Sequence, residues 1–173
     1  LSWDLRAADS VREYLPLVRN EERRQLAERG LDRFHRLLQQ VHALPSQIIH
    51  GDLNDENIIV RPDKTLAVID FGDFCKAPRI IEIAISLAYM LFSSSRNVQN
   101  LINEINSILS AFDATSKVPL SQEERALLLP LIAARNCQTV LTAQYRLNLD
   151  PTDPYVAISA EPAWSLLTMI DSL

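Results

Sequence analysis

Glycine is scarce in this chain, and this scarcity restricts the fold more than any other feature. The 173 residues contain three glycines, Gly30, Gly51 and Gly72, and the last two stand in the most unusual stretch of the sequence. Folds that bind nucleotides through a P-loop or a GxGxxG turn need several closely spaced glycines, because the backbone must approach the phosphates. These residues therefore exclude every nucleotide-binding fold that depends on such a loop.

The length and composition indicate one globular domain. A chain of 173 residues with 47% apolar side chains is long enough to bury a substantial core. The 22 acidic and 17 basic residues give a net charge of −5, which argues against a nucleic-acid partner because phosphate binding needs a basic surface. Two cysteines, Cys75 and Cys137, are too few for a disulfide framework or a zinc site and are typical of a reducing cytoplasm.

The apolar segments and the start of the chain carry further expectations. No apolar run reaches the length of about 18 residues that a membrane-spanning helix needs. The start lacks the basic and apolar segments of a secretory signal, so we predict a cytoplasmic protein without a membrane partner. Because the first residue is Leu1 and not an initiator methionine, we expect the chain to be cut from a longer protein.

The first 46 residues are predicted to form a helical lead-in. Asp9 or Ser10 is placed to cap a short helix that ends near Pro16, and Asn20 is placed to cap a long helix over 21–43. Apolar residues recur at helical spacing along the long helix, and five arginines follow its other face. We interpret that face as solvated and linked by ion pairs four residues apart, in preference to a phosphate-binding surface.

Residues 47–73 change to β structure. Short apolar runs at 47–49, 57–60 and 66–69 predict a strand, a polar loop and then a β-hairpin that turns at 62–64. These runs hardly alternate between apolar and polar residues, so we expect strands that are buried on both faces.

Residues 78–173 are predicted to form a helical subdomain. The segment 80–92 is apolar almost all round and predicts a central buried helix. A capping box at 121–124 opens a long helix that Pro130 kinks or starts, and Pro162 suits the first turn of the last helix. The fold class is therefore α+β, mostly helical around a small β element.

Acidic side chains concentrate where the predicted strands end. Residues 51–82 contain seven acids and four bases, so the pocket there is predicted to be negative and to need a metal ion, an ammonium substrate or both. Asp52 and Asn57 lie five residues apart in the polar loop, and Asp70 follows the next strand. An Asp that accepts a proton, beside an Asn and a second Asp that hold Mg²⁺ against nucleotide phosphates, is the catalytic arrangement of kinases.

Two motifs in this region resemble the aminoglycoside phosphotransferase and choline kinase superfamily. They are HGDLNDEN at 50–57 and IDFGD at 69–73. The likeness extends over nearly the whole chain, since these motifs, the segment EIAISLAYM and a helical tail with Arg135 and Tyr145 are similar to the hydroxylysine kinase family. The resemblance implies that the chain has the fold of the C-terminal lobe of a protein-kinase-like enzyme.

The resemblance also assigns roles to residues. It implies that Asp52 is the catalytic base and that Asn57 and Asp70 bind Mg²⁺ and, through it, the nucleotide. Five residues are expected to support this loop: His50, Gly51, Gly72, Asp73 and Glu82. For Asp73, contact with the substrate and capping of the following segment stay open as alternatives. Four residues are candidates for substrate contact, with solvent exposure or core packing as the alternative: Asn54, Asp55, Tyr145 and Trp164.

Two departures from protein kinases narrow the interpretation. Gly51 stands where protein kinases carry the Arg of the HRD motif, and no APE sequence follows, which argues against a peptide substrate. Kinases of this fold also need a β-hairpin over the phosphates and a strand Lys paired with a helix Glu. No lysine precedes Lys64, so we expect the N-terminal nucleotide lobe to be absent and the chain to be inactive or nearly inactive without it.

The predicted reaction transfers the γ-phosphoryl group of GTP or ATP to the hydroxyl of a small amino alcohol. The acidic pocket favours a cationic substrate, whereas 5-hydroxy-L-lysine and GTP are implied by the resemblance alone. A kinase for choline, ethanolamine, homoserine or an aminoglycoside is the alternative within this class. A truncated, non-catalytic binding domain is the alternative outside it, although a binding module does not need all three of Asp52, Asn57 and Asp70.

Four other residues receive structural interpretations. His35 and His42 lie on the long amphipathic helix without a partner at metal-binding spacing, so we assign both to the surface or to packing. Cys75 is interpreted as a small buried thiol. For Arg135 two alternatives stay open, a contact with a substrate carboxylate and an ion pair on the helix surface.

Overall fold

Helices make up most of the molecule, which confirms the predicted fold class. The computed structural model describes residues 3–93, 97–152 and 154–173; residues 1–2, 94–96 and 153, from the predicted lead-in and helical subdomain, lie outside the described residues. The described part contains five α-helices: α1 (Glu21–Ala43), α2 (Arg79–Met90), α3 (Val98–Thr115), α4 (Gln122–Leu149) and α5 (Pro154–Asp171). Short 3-10 helices cover Leu5–Leu17, Asp55–Asn57, Phe71–Asp73 and Leu91–Ser93.

Two small antiparallel sheets stand between α1 and α2. Their strands are β1 (Ser46–Ile49), β2 (Ile58–Val60), β3 (Leu66–Val68) and β4 (Cys75–Pro78). The predicted hairpin is the β2–β3 pair, whereas β1 pairs with β4, a strand that the sequence pattern did not predict. Because the two-stranded sheets bracket the polar loop, they bring residues 50–57 and residues 69–73 side by side.

The hairpin is exposed, so the prediction of strands buried on both faces is wrong. The exposed fraction is 68% for Val60, 64% for Leu66 and 47% for Ile59, and Phe71 and Phe74 beyond the hairpin are also exposed. In β1, Ile49 is buried while Ile48 is 66% exposed. The lack of alternation thus marks apolar surface that no described residue covers, and not a strand between two layers.

The core forms around α4, which packs against α1, α2, α5 and the first 3-10 helix. Residues 131–143 of α4 are buried without interruption. The predicted central helix at 80–92 is α2, which buries one face against α4 and ends with the exposed Met90. Among the described helices, α4 alone is long and apolar enough to cross a membrane, and 83% of its most apolar stretch lies inside the protein.

Capping explains the start of several helices. The Asn20 side chain accepts a hydrogen bond from the Arg23 amide at 2.9 Å, which confirms the predicted start of α1. Ser121 and Glu124 form the predicted capping box of α4. The first helix, however, begins at Leu5 under an Asp4 cap, and not at Asp9 or Ser10.

The two prolines expected near helix starts both lie inside helices. Pro130 lies inside α4, whose N-terminus the Ser121–Glu124 capping box fixes at Gln122, so of the two alternatives for Pro130 the start of the helix is wrong. Pro162 lies inside α5, which begins at Pro154. A proline at the first helical position costs no hydrogen bond, so the earlier proline is the better start.

The arginines of α1 join this helix to α5. Arg23 pairs with Glu161 at 2.7 Å, and Arg29 pairs with Asp171 at 2.6 Å. The face is solvated as expected, but the partners differ from the prediction of ion pairs four residues apart: Arg23, Arg29 and Arg33 bridge to α5, because α5 brings its carboxylates alongside the arginine face.

Candidate functional site

The loop over residues 50–57 is held by the carboxylate of Glu82, in the first turn of α2. The backbone amides of Gly51 and Leu53 donate to this carboxylate at 3.1 and 3.4 Å, and the amide of His50 donates to it as well. A carboxylate that accepts several backbone amides fixes a polar loop without any regular ladder. Glu82 therefore sets the position of the loop relative to α2.

His50 ties the loop to the end of the hairpin. Its Nε2 donates to the carbonyl oxygen of Ile69 at 2.8 Å, so its Nδ1 is the acceptor for the Asp52 amide at 3.3 Å. The imidazole ring also packs against Phe71, with the ring centroids 4.9 Å apart. His50 thus connects the segment that carries Asp52 to the segment that carries Asp70.

Gly51 allows the loop to approach the segment 71–73. It has a φ of +84°, and a Cβ atom there would lie 2.3 Å from the Asp73 carbonyl oxygen. Asp73 itself is exposed and lines the cleft described below. Gly72 has an ordinary φ, and a Cβ atom there would meet the Asp70 carboxylate at 3.3 Å.

Both oxygens of the Asp52 carboxylate accept hydrogen bonds. Arg135 donates to Oδ1 at 2.6 Å, while the side-chain amides of Asn54 and Asn57 donate to Oδ2 at 3.1 and 3.3 Å. Burial raises the pKa of Asp52; Arg135 opposes that rise, and the nearby carboxylates of Asp73 and Asp70 add to it. The result is a carboxylate with a raised pKa whose side chain remains 26% exposed to the cleft.

Asn57 and Asp70 supply the oxygen atoms that suit a hard cation. The Asn57 Nδ2 donates to the Asp52 carbonyl oxygen at 2.9 Å as well as to its carboxylate, so the amide turns its own carbonyl oxygen away from Asp52. Asp70, at a left-handed φ of +58°, is exposed at the end of the hairpin. In the described part of the chain no three His, Cys, Asp or Glu side chains form a metal site.

Asn54 and Asp55 lie on the same side of the loop. The Asn54 side chain caps the 3-10 helix Asp55–Asn57 by accepting from the Glu56 and Asn57 amides, while its NH₂ group donates to Asp52. Its acceptor oxygen and one of its N–H groups are thus occupied within the loop, whereas the side chain of Asp55 is exposed to the cleft.

These residues open into one cleft of about 830 Å³. One wall is acidic and includes Asp52, Asp55, Glu56, Asp70 and Asp73. A second group of lining residues, the helical wall, comes from the helices and combines aromatic, hydroxyl and guanidinium groups: Tyr89, Phe92, Arg135, Thr139, Thr142 and Arg146. The cleft therefore presents both oxygen ligands and a mixed polar and aromatic surface.

Two predicted substrate residues do not line this cleft. Tyr145 stacks on Tyr14, with the ring centroids 4.6 Å apart, and Trp164 is a core residue at 6% exposure. The position of Trp164 agrees with core packing, the alternative given for it above, whereas Tyr145 is half-buried against Tyr14.

The histidines and cysteines outside the loop do not line the cleft. The Nδ1 atom of His35 contacts the Asp9 carboxylate within hydrogen-bond distance, and His42 is exposed. Cys75 is half-buried in β4, and burial raises the pKa of its thiol. Complete burial raises the pKa of Cys137 to about 12.

Arg135 is the main residue of the site that the sequence interpretation misplaced. It is 1% exposed and bonded to Asp52, so the ion pair expected on the helix surface is replaced by an internal one, whereas the contact with a substrate carboxylate stays a prediction. An arginine within a long apolar helical segment must find a buried acid. That signal was present in the sequence, but 83 residues separate the two partners.

The chain is similar to known phosphotransferases. The phosphotransferase enzyme family matches residues 1–105. This match ends within α3 and includes the whole acidic wall of the cleft.

Three relatives match nearly all of the chain. Hydroxylysine kinase of Bos taurus is 27% identical over 176 residues, that of Mus musculus is 28% identical over 179 residues, and that of Xenopus laevis is 27% identical over 183 residues. These matches cover 95%, 97% and 99% of this chain but 45%, 46% and 47% of the relatives, so the chain spans less than half of their length. No solved structure matches the chain significantly.

Proposed function

This chain belongs to the phosphotransferase enzyme family, and we propose that it forms the C-terminal lobe of a small-molecule kinase. The reaction transfers the γ-phosphoryl group of GTP or ATP to the hydroxyl of a small amino alcohol. The observation that carries this proposal is the convergence of Asp52, Asn57 and Asp70 on one cleft from two different segments. Those residue types in one place are what phosphoryl transfer to a hydroxyl requires.

Asp52 is proposed to orient the acceptor hydroxyl and to take its proton. The hydroxyl oxygen forms a bond to the γ-phosphorus while the bond from that phosphorus to the β–γ bridging oxygen breaks, and the proton passes to the Asp52 carboxylate. A partly exposed carboxylate with a raised pKa suits this role, because it is reachable and accepts a proton more readily than an ordinary Asp.

Asn57 and Asp70 are proposed to hold Mg²⁺. The Asn57 carbonyl oxygen faces away from Asp52, and the Asp70 carboxylate is exposed at the same cleft, so both are available as hard oxygen ligands. A Mg²⁺ held by Asn57 and Asp70 would supply positive charge to neutralise the phosphates of the nucleotide. Two protein ligands are sufficient where phosphate oxygens and waters fill the other positions.

The proposed acceptor is 5-hydroxy-L-lysine, with GTP as the preferred donor. The relatives named hydroxylysine kinase support the acceptor, and the acidic wall of the cleft suits the ammonium groups of such a substrate. Because the chain spans less than half of those relatives, we also propose that the remaining part of the protein supplies the nucleotide-binding contacts and that this chain alone is inactive.

The test is nucleoside-diphosphate release by the full-length protein, with Mg²⁺–GTP and Mg²⁺–ATP and a panel of acceptors. The panel contains 5-hydroxylysine, lysine, choline, ethanolamine, homoserine and an aminoglycoside. Stimulation by 5-hydroxylysine and not by lysine, strongest with GTP, is the expected result. Stimulation by another acceptor keeps the reaction and rejects the substrate, whereas no stimulation of a folded protein favours a non-catalytic binding domain.

Replacement of the proposed base sharpens this test. Asp52→Asn keeps the size and shape of the side chain and removes one of its two acceptor oxygens. It is expected to lower kcat by at least roughly 100-fold because the proton acceptor is gone. Nucleotide binding, measured by fluorescence titration, should change little. Glu28→Gln, at an exposed position of α1, serves as the control. A kcat of Asp52→Asn close to that of the wild type would reject Asp52 as the base.

A further inference from the structure

Arg135 carries a charge into the most deeply buried part of the molecule. It lies in the segment 131–143 of α4, where every residue is buried, and its own exposed fraction is 1%. A guanidinium group in such a place is strongly destabilising unless it is paired and hydrogen-bonded. The position therefore needs a specific partner.

Asp52 is that partner. Among the described residues it provides the one carboxylate in ion-pair contact with Arg135, through Nη2 and Oδ1 at 2.6 Å. The same Nη2 donates to the Tyr89 hydroxyl at 3.1 Å, and Nη1 donates to the Trp3 carbonyl oxygen at 2.9 Å. The Nε atom is buried and has no hydrogen-bond partner.

Two aromatic rings fix the plane of the guanidinium. Its central carbon lies 4.9 Å from the centroid of the Trp3 ring and 5.4 Å from that of the Tyr89 ring. Cation–π contacts of this kind hold a desolvated guanidinium in place. Arg135 is therefore oriented by three segments of the chain, and Asp52 meets a donor whose direction is set by the core.

The two oxygens of Asp52 are held in different ways. The bonds to Oδ2 come from Asn54 and Asn57, which are neutral, lie in the same loop and are 3.1 and 3.3 Å away. The bond to Oδ1 is charged, shorter and comes from a helix. Among the described residues, Arg135 makes the one hydrogen bond to this carboxylate from outside the loop.

We propose that Arg135 is a positioning residue for phosphoryl transfer: by holding Oδ1 from the rigid helix α4, it turns Oδ2 of Asp52 toward the acceptor hydroxyl. This inference rests on the proposed function. Oδ2 accepts the longer hydrogen bonds from neutral groups. An acceptor hydroxyl that binds to Oδ2 therefore displaces weaker hydrogen bonds than one that binds to Oδ1. Without Arg135 the carboxylate is held by its own loop alone, and it loses its fixed direction relative to the helical wall of the cleft.

The variants Arg135→Met and Arg135→Lys in the full-length enzyme test this inference. Arg135→Met is expected to lower kcat by roughly 100-fold with the acceptor KM changed less than about threefold, because misplacement of a reacting group acts on the chemical step. Arg135→Lys restores one charged donor to Oδ1 and is expected to recover about tenfold of that loss. Arg79→Met is the matched control, since Arg79 also makes a part-buried ion pair, with Glu124 at 2.8 Å, but does not line the cleft.

A double-mutant cycle with Asp52→Asn separates positioning from a purely structural role. If Arg135 acts through Asp52, then adding Arg135→Met to Asp52→Asn changes the residual kcat less than about threefold. A multiplicative loss in that background, an unchanged kcat of Arg135→Met, or an equal loss in Arg79→Met would overturn the inference.

Measurements of protein stability and of wild-type activity distinguish a failure of this inference from a variant that does not fold and from a failure of the proposed function. Thermal unfolding is followed for every variant, and if Arg135→Met does not fold, Arg135→Lys carries the test: a kcat equal to that of the wild type overturns the inference. An active wild type with a normal Arg135→Met rejects this inference alone. A wild type that shows no turnover with any acceptor rejects the proposed function and the inference with it.

Discussion

At the scale of single residues, the Cβ atom that Gly51 lacks decides how closely two segments of the site approach each other. The Asp73 carbonyl oxygen occupies the space that this atom would need, at 2.3 Å. The backbone of Gly51 also has a left-handed φ, which other residues adopt only with strain. The loop with Asp52 and the segment after Asp70 are thus in contact because one side chain is absent.

Gly51→Ala is therefore expected to destabilise the protein by at least about 2 kcal/mol, from backbone strain and from the clash with Asp73. The midpoint of denaturant unfolding measures this loss. Gly72→Ala is the matched control, because Gly72 has an ordinary φ and its new methyl group meets the Asp70 side chain at 3.3 Å. Similar losses in the two variants would contradict this account of Gly51.

The role of Arg135 shows what sequence patterns leave undetermined at this scale. The types and spacing of Asp52, Asn57 and Asp70 were sufficient to predict that they share a site. The spacing contained no information about which helix meets Asp52, because that contact closes over 83 residues of chain. Local patterns predict neighbours in the loop, whereas long-range partners depend on how the helices pack.

At the scale of elements, α1 and α4 approach closely at Gly30. A Cβ atom there would lie 2.8 Å from the sulfur of Cys137, which is completely buried. Alanine is ordinarily the better helix former by about 1 kcal/mol, so Gly30 is unfavourable for the helix α1 taken by itself. The sulfur of Cys137 fills the space that a side chain at position 30 would take.

Gly30→Ala is consequently expected to destabilise the protein by about 1–3 kcal/mol, despite the gain in helix propensity. In the double variant Gly30→Ala/Cys137→Ala the new methyl group replaces the lost sulfur, so the double variant should be more stable than the sum of the two single losses predicts. Chemical unfolding of the four proteins measures this coupling. Additive losses would show that the two residues do not compete for the same space.

The helices were more predictable from the sequence than the strands. Asn20 and the Ser121–Glu124 capping box place signals directly on the backbone groups that they satisfy, so α1 and α4 begin where predicted. β4 was missed because CKAP is short, contains no β-branched or aromatic residue and ends in proline; it pairs with β1, which lies beside it. The burial of the hairpin was mispredicted because a run of apolar residues favours a strand but does not show whether another part of the chain packs over that strand.

At the scale of the whole molecule, one part-buried ion pair joins α2 to the start of α4. Arg79 bonds the Glu124 carboxylate at 2.8 and 2.9 Å, and it also donates to the carbonyl oxygens of Val118 and Pro119. The hydrogen bond from Arg79 holds the pKa of Glu124 below its usual value, against the opposing effect of burial. This pair links α2, which carries Tyr89 of the cleft, to the first turn of α4.

The lowered pKa of Glu124 predicts a loss of stability in acid. Its contribution is fully present above the unfolded-state pKa of 4.5 and is lost as the pH falls through the lower folded-state value. Asp52, with a raised pKa, contributes in the opposite direction. Glu124→Gln is expected to cost roughly 1–3 kcal/mol at pH 7 and progressively less below pH 4.5.

Thermal unfolding of Glu124→Gln and the wild type at several pH values between neutral and strongly acidic measures this difference. Glu28→Gln, at an exposed position, controls for the removal of one negative charge. If the two proteins keep a constant difference in free energy of unfolding down to the lowest pH, the Arg79–Glu124 pair does not contribute through the charge of Glu124.

The burial of α4 and the exposure of the hairpin give the two sides of the site different free energies of local opening. Amides in residues 131–143 exchange only when the core opens, whereas the β2–β3 ribbon separates from little packed surface when it frays. The aspartate anchored to α4 therefore keeps its direction through fluctuations that loosen the segment around Asp70. A site divided in this way can release and rebind the ligands at its mobile edge while the group on its fixed wall stays aligned.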